Sequence, residues 1–166
     1  TNSLYKEEKK MKFTIVSPDH GGAVRARRFA ELITKDIKIA IIDKRRTQPN
    51  VSEIVGLLGE VKNKNCIIID DIIDTGGTIL KAAKYLKESG ANNIYLAATH
   101  GLFSKGFEMF ENSDYIDKVF ISDSIPKVNK INSEKLKIIS LESMISKIIE
   151  LDFHSKSISE LYTLKK

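Results

Sequence analysis

The sequence predicts an α/β domain, a mostly parallel sheet flanked by helices. Short apolar runs rich in β-branched residues (Phe13–Val16, Ile39–Ile42, Ile67–Ile69, Asn93–Ala98, Lys118–Ile121, Leu136–Ser140) alternate along the chain with stretches of helical periodicity. Three of these runs end at Asp19, Lys44 and Asp70 in charged or glycine-bearing loops. Those loops would gather on one edge of the sheet, the carboxyl edge at which open α/β sheets bind ligands.

Residues 1–12 are lysine-rich and weakly patterned, and read as a linker or a terminal extension before a domain over 13–166. Phe13–Val16 is the first strand and runs into Ser17-Pro18-Asp19-His20-Gly21-Gly22, which has turn chemistry throughout. From Ala23 to about Thr34, Ala23, Ala26, Ala30 and Ile33 recur at helical spacing among Arg25, Arg27 and Arg28. A carboxylate at Asp19, just past a strand, holds Mg²⁺ in some sites, although a solvated turn is the commoner fate of such a residue.

The second strand, Ile39–Ile42, leads into a predicted loop from Asp43 to Asn50 with three consecutive cations, Lys44, Arg45 and Arg46. They read either as a solvated basic loop or as an arm that closes over phosphates. Imperfect alternation over Val51–Val61 predicts a strand returning to the sheet. After the central stretch, Ile79–Glu88 is a helix with Leu80, Ala83 and Leu86 on one side, and Gly90 suits its left-handed stop. Asn93–Ala98 is a strand ending in Thr99-His100-Gly101, where His100 reads as a polar turn residue rather than a base. A helix over Ser104–Phe110, strands at Lys118–Ile121 and Leu136–Ser140, and a final helix over Leu141–Leu151 complete the domain. In that last helix Leu141, Ile145, Ile148 and Ile149 are expected to face inward. The tail from His154 to Leu164 has little pattern.

The central stretch is Cys66–Thr78, CIIIDDIIDTGGT. A buried strand ends in two adjacent carboxylates, Asp70 and Asp71, and then Asp74-Thr75-Gly76-Gly77-Thr78 opens a helix. The glycines let successive N–H groups and two hydroxyls converge on one phosphate, and the helix adds the positive end of its dipole. The two acids, a few residues upstream, suit the hydroxyls of a sugar. The competing reading is an ordinary strand-to-helix turn with Asp74 or Thr75 as its cap and the acid pair solvated. Apolar strand, paired acids and DTGGT in succession form the narrower pattern, and it favours phosphate and ribose.

The totals restrict the function classes. At 166 residues, 42% hydrophobic and 30% charged, the chain has the size and composition of a single globular domain. One cysteine, Cys66, precludes an intrachain disulfide, points to a reducing compartment, and sits where a core thiol would. The net charge of +5 comes from lysines interspersed with acids, without aromatic runs or zinc spacing, which argues against nucleic acid and is met equally well by polyanionic small molecules. No apolar run is long enough for a membrane span.

The segments Ser17–Arg28, Ile39–Arg46, Asn50–Val61, Ile67–Thr78, Ala98–Ser104 and Asp123–Pro126 closely resemble, in order, those of the ribose-phosphate pyrophosphokinases. The resemblance runs from about Phe13 to Tyr162. It implies a type I phosphoribosyltransferase-like fold and transfer of the β,γ-diphosphoryl group of ATP to the C1 hydroxyl of ribose 5-phosphate. The products would be phosphoribosyl pyrophosphate and AMP, in nucleotide biosynthesis, with Mg²⁺ required. By resemblance Asp74, Thr75, Gly76, Gly77 and Thr78 hold the 5-phosphate, and Asp70 and Asp71 hold the ribose hydroxyls. Lys44 and Arg46 are similar to the family's catalytic cations, Arg46 also touching the sugar phosphate, and Asp19 resembles its Mg²⁺-binding aspartate. Ser157 and Ser159 resemble serines near a phosphate or ADP effector site. His20 stands where many members have an apolar or small residue.

Members of that family have two similar halves, about twice this length, and assemble as cytoplasmic homohexamers. This chain resembles the C-terminal half, so activity in isolation is not expected. A type I phosphoribosyltransferase would share the Asp70–Thr78 stretch but not the segments around Asp19 and Lys44. A non-catalytic relative that binds the synthetase is the third reading.

Overall fold

The computed structural model describes residues 13–33, 37–48 and 51–161, the side chains of 45–48, 51–53 and 160 excepted. The proposed extension over 1–12 lies outside the described residues. Seven strands form one sheet: β1 (Phe13–Ser17), β2 (Lys38–Gln48), β3 (Val51–Leu58), β4 (Asn65–Ile73), β5 (Ile94–Gly101), β6 (Lys118–Ser122) and β7 (Leu136–Ile139), in the order β3-β2-β1-β4-β5-β6-β7. All neighbouring pairs are parallel except β2 with β3. The helices are α1 (Ala23–Ile33), α2 (Gly77–Glu88), the single turn α3 (Glu108–Glu111) and α4 (Glu142–Phe153).

The parallel strands have apolar residues on both faces, as strands covered on both sides must. Along β4 the side chains alternate between two cores. Cys66 and Ile68 pack with Ala82, Ala83 and Leu86 of α2 and with Phe103, Phe107 and Phe110, whereas Ile67 and Ile69 pack with Ala26 and Ala30 of α1, Tyr95 and Phe120. Each fully buried Ile, Leu or Phe contributes about 1.5–3 kcal/mol relative to exposure. The face under α1 is covered only in part. A groove of about 640 Å³ lies beside the helix, with Phe29, Leu32 and Phe120 in its walls and Arg25 and Asp70 also lining it.

Strand order reverses at β1, which pairs with β2 on one side and β4 on the other. This is the topological switch point, the place where the loops leaving two adjacent strands part and open a crevice. The registers Val16↔Ala40 and Val16↔Ile68 carry Asp19, Lys44 and Asp70 to the same edge of the sheet.

Four expectations are corrected. The run from Asp43 to Gln48 is strand rather than loop: it extends β2 and pairs antiparallel with β3 through a register shift between Asp43 and Lys44. His100 lies inside β5, opposite Ile72, so it is a strand residue and not a turn residue. The helix expected over Ser104–Phe110 contracts to Glu108–Glu111, because Gly106 at φ +85° interrupts the segment. In α4 no residue is buried: Ile145 is 47% exposed, Ile149 63% and Phe153 83%. An amphipathic pattern specifies a face suited to burial but does not supply the neighbour, and α4 follows the last strand at the end of the sheet.

Candidate functional site

β4 delivers the paired acids and α2 delivers the turn that follows them. Gly76 has φ +77°, a left-handed conformation that glycine adopts without a Cβ penalty, and it is the residue preceding the first turn of α2. A Cβ there would also lie 2.5 Å from Phe110 Cζ and 2.7 Å from Met109 Sδ, so conformation and packing both require glycine. Gly77 has open space where its Cβ would be. Among the described residues the amides of Thr75, Gly76, Gly77 and Thr78 donate to no protein acceptor; the first main-chain bond of the helix is from Leu80 N to Gly76 O at 2.9 Å. Asp74, which also lines the cavity described next, braces the turn by accepting from the amide of Ser104 at 3.3 Å. Thr75, Gly76 and Thr78 line a cavity of about 120 Å³ that Asp70 and Pro18 also border. Free amides, two hydroxyls and a helix N-terminus around one small cavity are the kind of donors that bind anions.

Asp70 is half-buried and Asp71 exposed. Arg25 of α1 grips both, Nη1 donating to Asp70 Oδ1 at 2.8 Å and Nη2 to Asp71 Oδ2 at 2.8 Å. The amides of Asp71 and Ile72 donate at 2.9 Å to Asp70 Oδ1 and Asp71 Oδ1. Burial pushes the Asp70 carboxyl above the usual carboxylate range. For Asp71 desolvation, the largest single contribution, acts upwards, but the interaction with Asp70, the charge of Arg25 and the main-chain amides together hold it below that range. Neither the helix arginines nor their spacing singled out Arg25 in the sequence. It stands in the first turn of α1, after the Asp19 loop, and only the fold separates it from Arg27 and Arg28.

Lys44, on β2, lies within electrostatic reach of Asp19 and Asp70. Its Nζ is buried and has no hydrogen-bond partner among the described residues. Burial pushes its pKa down, against the opposing pull of Asp19 and Asp70. Arg46 belongs to β2, and its side chain lies outside the described residues. Asp19 accepts from the amide of Gly22 at 2.9 Å through Oδ1, and Ser17 Oγ donates to the Asp19 carbonyl at 2.6 Å. Next to it His20 Nε2 meets Asp43 Oδ1 at 3.0 Å, tying the β1 loop to β2.

No group of three or more His, Cys, Asp or Glu suited to a metal occurs among the described residues. Asp19 Oδ2, which accepts no hydrogen bond from a described residue, fits Mg²⁺ in the manner of one carboxylate completed by water and substrate phosphate. Elsewhere His100 Nδ1 meets Ser124 Oγ at 2.8 Å, and the hydroxyls of Ser157 and Ser159 are 2.5 Å apart on the exposed tail. No described helix is long and apolar enough to cross a membrane.

A family model described as the phosphoribosyl synthetase-associated domain matches residues 33–163. The chain belongs to that family. It is 53% identical over 152 residues to a ribose-phosphate pyrophosphokinase of Mycoplasmopsis pulmonis, a match covering 91% of the chain and 47% of that relative. It is 42% identical to the same-named protein of Pasteurella multocida, over 90% of the chain and 47% of the relative. The crystal structure of phosphoribosylpyrophosphate synthetase from Mycobacterium smegmatis superposes with a TM-score of 0.80 at 26% identity, over 93% of the chain and 49% of that protein. The chain thus spans about half the length of the family's curated relatives. A hypoxanthine-guanine phosphoribosyltransferase from Bacillus anthracis, 12% identical with a TM-score of 0.54, shares the fold alone.

Proposed function

We propose that this chain is the sugar-phosphate half of a ribose-phosphate pyrophosphokinase, the C-terminal of two similar halves. The whole protein transfers the β,γ-diphosphoryl group of ATP to the C1 hydroxyl of ribose 5-phosphate, giving phosphoribosyl pyrophosphate and AMP. One observation carries the reading: Asp70, held with Asp71 by Arg25, borders the cavity at the turn with free amides, and the buried Lys44, without a hydrogen-bond partner among the described residues, lies within electrostatic reach of Asp70 and Asp19.

In this reading the amides and hydroxyls from Thr75 to Thr78 hold the 5-phosphate, and Asp70 and Asp71 accept from the ribose hydroxyls. That fixes the pentose and leaves its C1 hydroxyl to be aimed at the diphosphoryl donor. Attack at phosphorus needs positioning and charge stabilisation, and no covalent nucleophile is required. Lys44, poorly solvated and unpartnered, supplies a cation to the transferring group without first breaking a protein hydrogen bond. Arg46 supplies a second. By analogy with single oxyanion donors each is worth a factor on the order of 10²–10³ in rate. Asp19 would take one coordination position of Mg²⁺, whose chemistry is to offset charge on the phosphate oxygens. Homohexameric assembly, a phosphate or ADP effector site near Ser157 and Ser159, and residence in the cytoplasm belong to the same reading.

The chain by itself is expected to bind ribose 5-phosphate without turning it over. Calorimetry with ribose 5-phosphate tests the first part. The second is tested by AMP release from ATP, for this chain and for the chain joined to the other half of a curated relative. Lys44→Ala should abolish release and spare sugar binding. Absence of ribose 5-phosphate binding, or full release from the Lys44→Ala protein, would overturn the assignment.

A further inference from the structure

We infer that Arg25 is a positioning residue that makes one diol receptor out of Asp70 and Asp71, and thereby sets the preference for ribose over 2-deoxyribose phosphates. The inference rests on the sugar-phosphate reading above and goes beyond it.

Consecutive residues of a strand point to opposite faces of the sheet. Asp70 and Asp71 are consecutive in β4, and left to the pleat they would address different faces. A single guanidinium instead draws one oxygen from each, at 2.8 Å in both cases. A planar fork with two parallel donors does this in one fixed geometry; an ammonium, with three rotatable donors on a flexible stem, would hold the two carboxylates less rigidly. Arg25 is itself well placed to impose the geometry, because Ala26 and Ala30 of the same helix are buried against the sheet.

The bonds also leave acceptors for a ligand. Asp70 Oδ1 takes both Arg25 and the amide of Asp71, while Asp71 divides its oxygens between Arg25 and the amide of Ile72. Asp70 Oδ2 carries neither the guanidinium nor a main-chain amide, and each carboxylate oxygen can accept twice. Two anions side by side repel each other and would also oppose an incoming sugar phosphate. One arginine between them offsets that repulsion and keeps both as acceptors. Vicinal hydroxyls supply two donors to this pair, and a 2-deoxy sugar supplies one.

Hydrogen bonds to charged acceptors make the ribose compound bind about 10–100-fold more tightly than its 2-deoxy counterpart. The test is calorimetric titration of ribose 5-phosphate, 2-deoxyribose 5-phosphate and inorganic phosphate into the wild-type chain and into Arg25→Ala and Arg25→Lys. The expected result is a ribose preference that falls to within about threefold in Arg25→Ala, with inorganic phosphate affinity unchanged, and that Arg25→Lys restores only in part. A preference that survives Arg25→Ala, or equal weakening of all three ligands, would overturn the inference alone. A wild-type chain that binds inorganic phosphate but neither sugar would overturn the underlying reading and the inference with it. If Arg25→Ala does not fold, Arg25→Lys decides: a fully retained preference in that variant is the overturning result.

Discussion

Gly76 stands so close to Phe110 that a Cβ on the glycine would come within 2.5 Å of the ring's Cζ. The anion turn is thereby locked to the aromatic cluster of Phe103, Phe107 and Phe110, whose ring centroids lie 5.1–5.4 Å apart. Gly76→Ala meets both an unfavourable φ and a clash and should cost about 2–4 kcal/mol. Gly77→Ala, at a helical φ with open space around the new methyl, should be neutral or stabilise by up to about 1 kcal/mol. Denaturant unfolding of the two variants checks this, and equal costs would contradict the packing described for Gly76.

Lys44 is a second place where the site works against the fold. Burial lowers its pKa, so the charged form is disfavoured in the folded state. The penalty is present at neutral pH and fades as pH rises through the folded-state value towards that of an ordinary lysine. Lys44→Met should therefore stabilise the domain by about 1 kcal/mol at pH 7, as buried functional groups often do when removed. The gain should shrink above pH 10, which unfolding curves at both pH values would show.

Cys66 is fully buried, and its thiol is pushed up to about 12. At pH 8 it should resist a thiol-specific disulfide reagent in the folded chain and react within minutes once unfolded. Because the folded value is the higher one, the thiol's contribution to stability is fully present below the unfolded value and is lost as pH rises from about 9 towards 12. Rapid labelling of the native protein would contradict its place in the core.

The exposed stripe of α4 gives a prediction opposite to the one its periodicity suggests. Ile149→Ser and Phe153→Ser should each change stability by less than about 0.5 kcal/mol, the range of surface substitutions. A buried position would lose about 2–5 kcal/mol on comparable truncation. Thermal unfolding of the two variants distinguishes the cases.

What the sequence revealed and what it hid divide along physical lines. β-branched runs and Asp-Thr-Gly-Gly-Thr are local signals, and they located the strands, the anion turn and the acid pair without knowledge of neighbours. The cations of β2 were read as a loop because Lys-Arg-Arg has little strand propensity; pairing with β3, a tertiary effect, overrides it. Arg25 was indistinguishable from Arg27 and Arg28 because its partners lie 45 and 46 residues away. The exposure of α4 was hidden for the same reason, since no periodicity reports whether a neighbour exists.

The reversal of strand order at β1 has a bearing on folding. Asp19 lies just past β1 and Asp70 within β4, strands paired across some fifty residues of chain, so no short segment holds both residues. A sugar phosphate seated there would bind only molecules in which that long-range pairing is complete. Its stabilisation should therefore appear as slowed amide exchange throughout the central strands, rather than as a local stiffening of the turn that touches the phosphate.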